Sequence, residues 1–290
     1  MHLLAADRVR FGRRRDLWIL VALIPLLLAV MFVQEFNSVI TPPQLDGFFS
    51  DPPDPVLEAQ FREQMLAEFH QRVAQELPAF AFPASLVKVA GNVGPLILLA
   101  IYLATALVAG EFEWGTVRTI HLTSRRGRTL AVRIAVIVGL VAVATAIGLV
   151  LAAIIPFLLS FEGRSLQSYA ARVPGLFSEI GIRLTAVLPF IAIPSLMAVL
   201  GRSTAFAFLF TILFLGADLA FTSLPIWSAN GIPWVSVVTV TGSINRLLSG
   251  DGSMLASVPP LWVPVLALVA WSILPALAAI AWFRRTDINE

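Results

Sequence analysis

The stretch GEFEWGTVRTIHLTSRRGR, residues 110–128, sets two carboxylates and four arginines between two long uncharged runs, 89–110 and 134–161. An arginine at the centre of a bilayer costs about 3 kcal/mol even on the mildest scale, so a segment with four of them does not lie in lipid. It reads as a loop against a membrane face, and arginine excess marks the cytoplasmic side. The flanking runs each supply the ~20 apolar residues that a helix needs to cross a bilayer. Composition agrees: 58% of residues are hydrophobic and only 13% charged, with a mean hydropathy of +0.86, against about 25% charged in soluble domains.

Further uncharged runs cover 17–34, 184–201 and 252–283, and 203–217 extends to 221 if Asp218 is admitted. The expected fold is therefore an all-α membrane protein with six spans, at about 17–36, 89–109, 130–159, 183–201, 203–221 and 261–283. The whole chain, 1–290, reads as one transmembrane domain. The first run is long for the apolar core of a signal peptide, and VQEFNSV after it lacks a small-residue cleavage pattern, so it is expected to remain as a span. With both termini cytoplasmic, the inside segments carry 13 lysines and arginines and the longer outside segments 7. That asymmetry is the one membrane topology selects. The net charge of +2 is thus read as topology, with no nucleic-acid partner expected.

Several chemistries are excluded by residue type. The chain has no cysteine, and its three histidines, His2, His70 and His121, fall in separate polar segments, so no metal site is expected. A phosphate-binding P-loop needs a lysine followed by serine or threonine. The only lysine is Lys88, and Val89 follows it.

Two elaborations are expected on the outer side. Residues 37–86 open with TPPQLDGFFSDPPDP, too rich in proline for regular structure. From Pro55, a residue suited to a first helical turn, the apolar residues Leu57, Phe61, Met65, Phe69, Val73 and Leu77 recur every four positions. Glu58 with Arg62 and Glu68 with Arg72 stand at the helical i,i+4 spacing and are expected to pair on the polar side. An amphipathic helix outside the membrane follows. The second elaboration, 222–260, is too apolar for a solvent loop and reads as re-entrant or interfacial helices, with Trp227 and Trp234 at headgroup depth. On the inner side, ADRVRFGRRRD at 6–16 reads as an interfacial helix whose Arg8, Arg13, Arg14 and Arg15 face anionic lipid or a cytosolic partner. Pro156, Pro189 and Pro194 are expected to kink their spans.

The order Glu111, Glu113, Gly115, Thr116, Arg118, followed by Arg125 and Arg128 and by Arg133 entering the third span, resembles the first cytoplasmic loop of ABC-2 type transporter permeases. The usual proline ahead of the later arginine is missing, and the loop is one residue longer near His121. The resemblance is close over about twenty-five residues and loose over the six-span plan. It implies that 110–129 is a coupling loop docking into a separate ABC ATPase subunit, which would hold ATP and magnesium; no cofactor is expected on this chain, and the chain itself is no enzyme. It further implies a second permease copy, identical or related, and a multi-pass place in a prokaryotic cytoplasmic membrane. The implied activity is export of a hydrophobic or amphipathic substrate: a drug, lipid, peptide or lipid-linked glycan. Asp218 is the one clear intramembrane acid and a candidate for lining the substrate pathway, or for bonding a neighbouring helix. Two other readings stand beside this one: a membrane anchor, sensor or assembly protein without transport, and an ion-coupled secondary transporter, which the shortage of intramembrane charge disfavours.

Overall fold

The computed structural model describes residues 15–43, 55–82, 84–113, 126–158, 180–224, 234–249 and 260–285. Every element among them is helical. In chain order they are α1 (Arg15–Ile40), α2 (Pro55–Glu76), a 3-10 turn (Leu77–Phe80), α3 (Ala84–Gly91), α4 (Gly94–Ala104), a π-helical turn (Thr105–Ala109), α5 (Gly110–Glu113), α6 (Arg126–Leu158), α7 (Pro189–Gly201), α8 (Thr204–Thr222), α9 (Trp234–Val237), α10 (Val240–Ser249) and α11 (Trp262–Arg285).

Among the described residues, five helical segments are long and apolar enough to cross a membrane: Trp18–Ile40, Gly127–Pro156, Ile180–Gly201, Thr204–Thr222 and Trp262–Arg285. The expected second span, 89–109, is instead a bent pair. Ala84–Gly91 and Gly94–Ala109 meet at 48°, and they make a sixth span if counted together. The break falls where Pro95, in the first turn of α4, brings no N–H to continue the ladder. Asn92 N–H instead bonds back to the Lys88 and Val89 carbonyls. A Cβ at Gly91 would meet the end of the Arg183 side chain, so α3 passes close to the start of the fourth span at that glycine.

The fourth span is the centre of the bundle. In Ile180–Gly201 61% of the most apolar window is buried, against 11% in Thr204–Thr222. Around α7 pack α11, α8, α4 and the π turn, while α6 joins α1, α3 and α4 on the other flank. Pro189 breaks this span as the sequence leads one to expect. The bonds Ala186 N to Arg183 O, Val187 N to Leu184 O and Leu188 N to Thr185 O are one residue tighter than α-helical, and the last of them takes up the Thr185 carbonyl that Pro189 has no N–H to reach. The surrounding helices turn Ile19, Leu98, Leu158, Leu209, Leu213 and Leu274 outward and exposed. In water such a surface would aggregate; against lipid tails it is the matched solvent.

Part of the expected outer insertion belongs to the core. Phe80 is fully buried and meets the rings of Phe32 and Phe36 at 5.3 and 5.5 Å. Lys88 stands 4.1 Å over the Phe80 ring and pairs with Glu35 at 2.6 Å, so the 3-10 turn and α3 are fastened to the end of α1. Accordingly α1 runs on to Ile40, beyond the expected end at 36. The α2 helix forms where the four-residue stripe places it, with Arg62 bonded to Glu58 at 3.3 Å.

The tight α7–α8 turn assigns its residues differently from their usual use. Arg202, not Gly201, takes the left-handed conformation (φ 51°) that closes α7, its N–H bonding Ala198 O at 2.9 Å. Gly201 serves close approach, because a Cβ there would overlap the Phe206 ring. Of the expected inner-surface arginines, Arg15 begins α1 and so continues the first span. Arg8, Arg13 and Arg14 lie outside the described residues.

Candidate functional site: two carboxylates that cap helices

The end of the bundle carrying Arg128, Arg284 and Arg285 gathers the exit of the bent second span, the start of α6, the α7–α8 turn and the end of α11. Phe112 meets Phe283 edge-on at 5.8 Å, joining α5 to α11. A Cβ at Gly127 would collide with the Arg284 side chain, so α6 and α11 touch through that glycine. The second span reaches this end through the π turn, where the Thr105 hydroxyl donates to the Ile101 and Tyr102 carbonyls at 2.9 and 3.0 Å. Such turns replace the regular i to i−4 ladder and occur often at functional sites.

Glu113 closes this arrangement. Its Oε1 accepts the Thr204 backbone N–H and the Thr204 hydroxyl, both at 2.7 Å. Ser203, preceding α8, makes no capping bond of its own, so a side chain from ninety-one positions upstream supplies the cap. A carboxylate at a helix N-terminus is favoured by unsatisfied N–H groups and by the helix dipole. The Thr204 hydroxyl, then the Thr204 N–H, hold the Glu113 carboxyl below its ordinary value against a smaller upward push from desolvation, with Ser203 adding the least. A depressed folded pKa means stabilisation that is complete above the unfolded value and lost as pH falls through the folded one. Glu113→Ala is therefore expected to destabilise by about 1 kcal/mol at neutral pH, the usual effect of losing a helix cap. Thermal unfolding in detergent checks this, and the gap to wild type should close only in acid.

At the opposite end Asp218 performs the same task inside the bundle. It is 9% exposed, and its Oδ1 and Oδ2 accept the N–H groups of Val240 at 3.2 Å and Thr241 at 2.6 Å. The Thr239 hydroxyl accepts the Gly242 N–H at 3.0 Å and lies 2.7 Å from the Thr222 hydroxyl. The Ser243 hydroxyl donates to Val237 O at 2.6 Å, and the Trp271 indole N–H donates to Val238 O at 3.0 Å. The first three N–H groups of α10 thus all have side-chain acceptors, two of them from one carboxylate of the fifth span. Of the two readings of Asp218, the bond to a neighbouring helix is the one the geometry displays.

Beside this network, Val238, Trp262, Leu266, Trp271, Leu274 and Pro275 line an apolar groove of about 670 Å3 along α11. A smaller one, about 240 Å3, lies between α6 and the fourth span, with Val141, Thr145, Leu184 and Leu188 in its walls.

Of the expected coupling residues, Glu111 and Glu113 stand on α5, and Arg128 is exposed in the first turn of α6. Gly115, Thr116, Arg118 and Arg125 lie outside the described residues. Arg133, one turn further into α6, is buried. Sequence reasoning passed over Thr204, Thr239 and Thr241. The signal was available for Thr204, since a hydroxyl residue directly ahead of an apolar run suits a helix start. The Glu113 and Asp218 acceptors could not be foreseen, because their partners are distant in sequence. Among the described residues no group of histidine and carboxylate side chains could hold a metal ion. Set against protein-family models and curated proteins, the chain matches none.

Proposed function

We propose that this chain is the membrane-spanning permease subunit of an ATP-driven transporter of the ABC-2 kind, working with separate ATPase subunits and a second permease copy. The observation carrying this reading is the Glu113–Thr204 contact. The loop whose residues resemble a coupling loop departs from the helix that grips the start of α8, and it returns at the start of α6. A displacement of that loop by a closing ATPase would therefore pull on the second, third and fifth spans together. The π turn in the second span supplies a place where such a pull can be absorbed. Asp218 adds support from the other side: each of its oxygens accepts a backbone N–H at the start of α10, a structural role that accounts for this acid without the ion-coupled alternative. The apolar grooves suit a hydrophobic or amphipathic substrate, and the larger has the size of small-molecule sites.

Export from the cytoplasm, with the basic end inside, is the direction this reading takes. The test is to purify the tagged chain alone and together with an ATPase encoded beside it. The chain alone should hydrolyse no ATP. The pair should hydrolyse it, and vesicles containing both should move an amphipathic dye in an ATP-dependent way. Robust hydrolysis by the isolated chain, or the failure of any such ATPase to associate, would overturn the proposal.

A further inference from the structure

The α2 helix carries a pattern that is symmetric about one residue. Met65 lies midway between Phe61 and Phe69, between Leu57 and Val73, between Arg62 and Glu68, and between Glu58 and Arg72. At 3.6 residues per turn all of these project within about 80° of Met65, so apolar and charged members share one face. Glu58 and Arg72, each two turns away, fall nearest its centre line. Each symmetry-related charge pair is of opposite sign, and no like charges are matched. The face is not lost inside the fold. Met65 and Phe69 are half-buried and Arg62, Glu68 and Arg72 are exposed, while Val73 and Leu77 at the C-terminal end pack on the core of the bundle, where α2 meets the 3-10 turn and α1.

We propose that α2 is a self-association surface whose occupant is the α2 helix of a second copy of this chain, antiparallel and crossing at Met65. A two-fold axis makes a patch its own partner. In the antiparallel arrangement Phe61 packs beside Phe69 of the copy, and Glu58 comes level with Arg72 of the copy, twice over. Arg62 and Glu68 of the copy reach the same height on opposite flanks, so the Glu58–Arg72 pairs carry the charge complementarity. A parallel arrangement would instead set Glu58 against Glu58 and Arg72 against Arg72, which charge repulsion opposes. Ridges made by residues four apart interdigitate in the commonest helix crossing, which suits a stripe with this spacing. Two copies inserted the same way in a membrane are related by an axis along the membrane normal, and a helix lying across that axis meets its copy antiparallel. This deepens the two-copy part of the function proposed above, but its test requires neither ATPase nor transport.

The natural absence of cysteine permits a direct test in membranes containing the full chain. A disulfide requires Cβ atoms within about 3.5–4.5 Å. Met65→Cys should be driven to a covalent dimer by mild oxidation, in at least half of the molecules. Co-expressed Phe61→Cys and Phe69→Cys chains should cross-link to each other, whereas either alone should give several-fold less dimer. Arg72→Glu should lower Met65→Cys cross-linking several-fold, and Glu58→Arg in the same chain should restore it. Cross-linking of Phe61→Cys with itself as strongly as with Phe69→Cys would overturn the antiparallel register. Absence of a Met65→Cys dimer, in protein that native mass measurement shows to be dimeric, would overturn the surface while sparing the two-copy reading. A Met65→Cys dimer in protein that binds no ATPase would uphold the surface while the transporter reading fails.

Discussion

Asp218→Ala should destabilise the protein by about 3–5 kcal/mol. The carboxylate is buried, and it accepts the N–H groups of both Val240 and Thr241. Removing it leaves one buried and one part-buried donor without an acceptor at about 1–3 kcal/mol each, and deletes a charge that the N-terminus of α10 favours. Asp218→Asn is the informative companion. An amide has one oxygen to offer, so one of the two N–H groups meets an NH2 group, and about half of the effect should remain. Thermal unfolding in detergent gives the magnitudes. Local consequences can be read from a cysteine placed at Ser243, whose side chain is fully buried: it should label slowly in the parent and quickly with Asp218→Ala. If Asp218→Ala unfolds like the parent, the capping role assigned to Asp218 is wrong.

On the function proposed above, in which the 110–128 loop docks an ATPase, Arg118→Gln should weaken that docking by about 2–5 kcal/mol, the cost of removing one partner of a hydrogen-bonded interfacial charge pair. That corresponds to roughly 30-fold to several-thousand-fold in affinity. Arg125, Arg126 and Arg128 would keep the positive-inside bias, so insertion and folding should be unchanged. Arg118 is a cleaner probe than Glu113, because the Glu113 carboxylate already holds Thr204 within the chain and its loss mixes stability with coupling. The measurements are capture of the ATPase on tagged permease and dye movement in vesicles, beside Gln75→Ala on the exposed side of α2 as a control. Wild-type capture and transport with Arg118→Gln would reduce the loop to a topological marker.

Hydropathy fixed the membrane class and the approximate place of each span, because burial in hydrocarbon depends on the local run of residue types and on little else. The α2 helix was equally legible, since its stripe recurs every four residues from Pro55 and outside the membrane only an amphipathic helix satisfies that spacing. The Pro189 break followed from a missing N–H, again a local fact. Tertiary structure alone decided which span stands at the centre. Helices apolar on every side carry no stripe to say where they face, and lipid tails solvate leucine as well as a neighbouring helix does, so order around the bundle comes from shape and from the few polar contacts. Those contacts link residues far apart in sequence: Glu113 with Thr204, Asp218 with Val240 and Thr241, Phe80 with Phe32 and Phe36. No periodicity records such a meeting. A carboxylate at the end of an apolar run reads as a boundary, and only the helix start brought against it by the fold turns it into a cap.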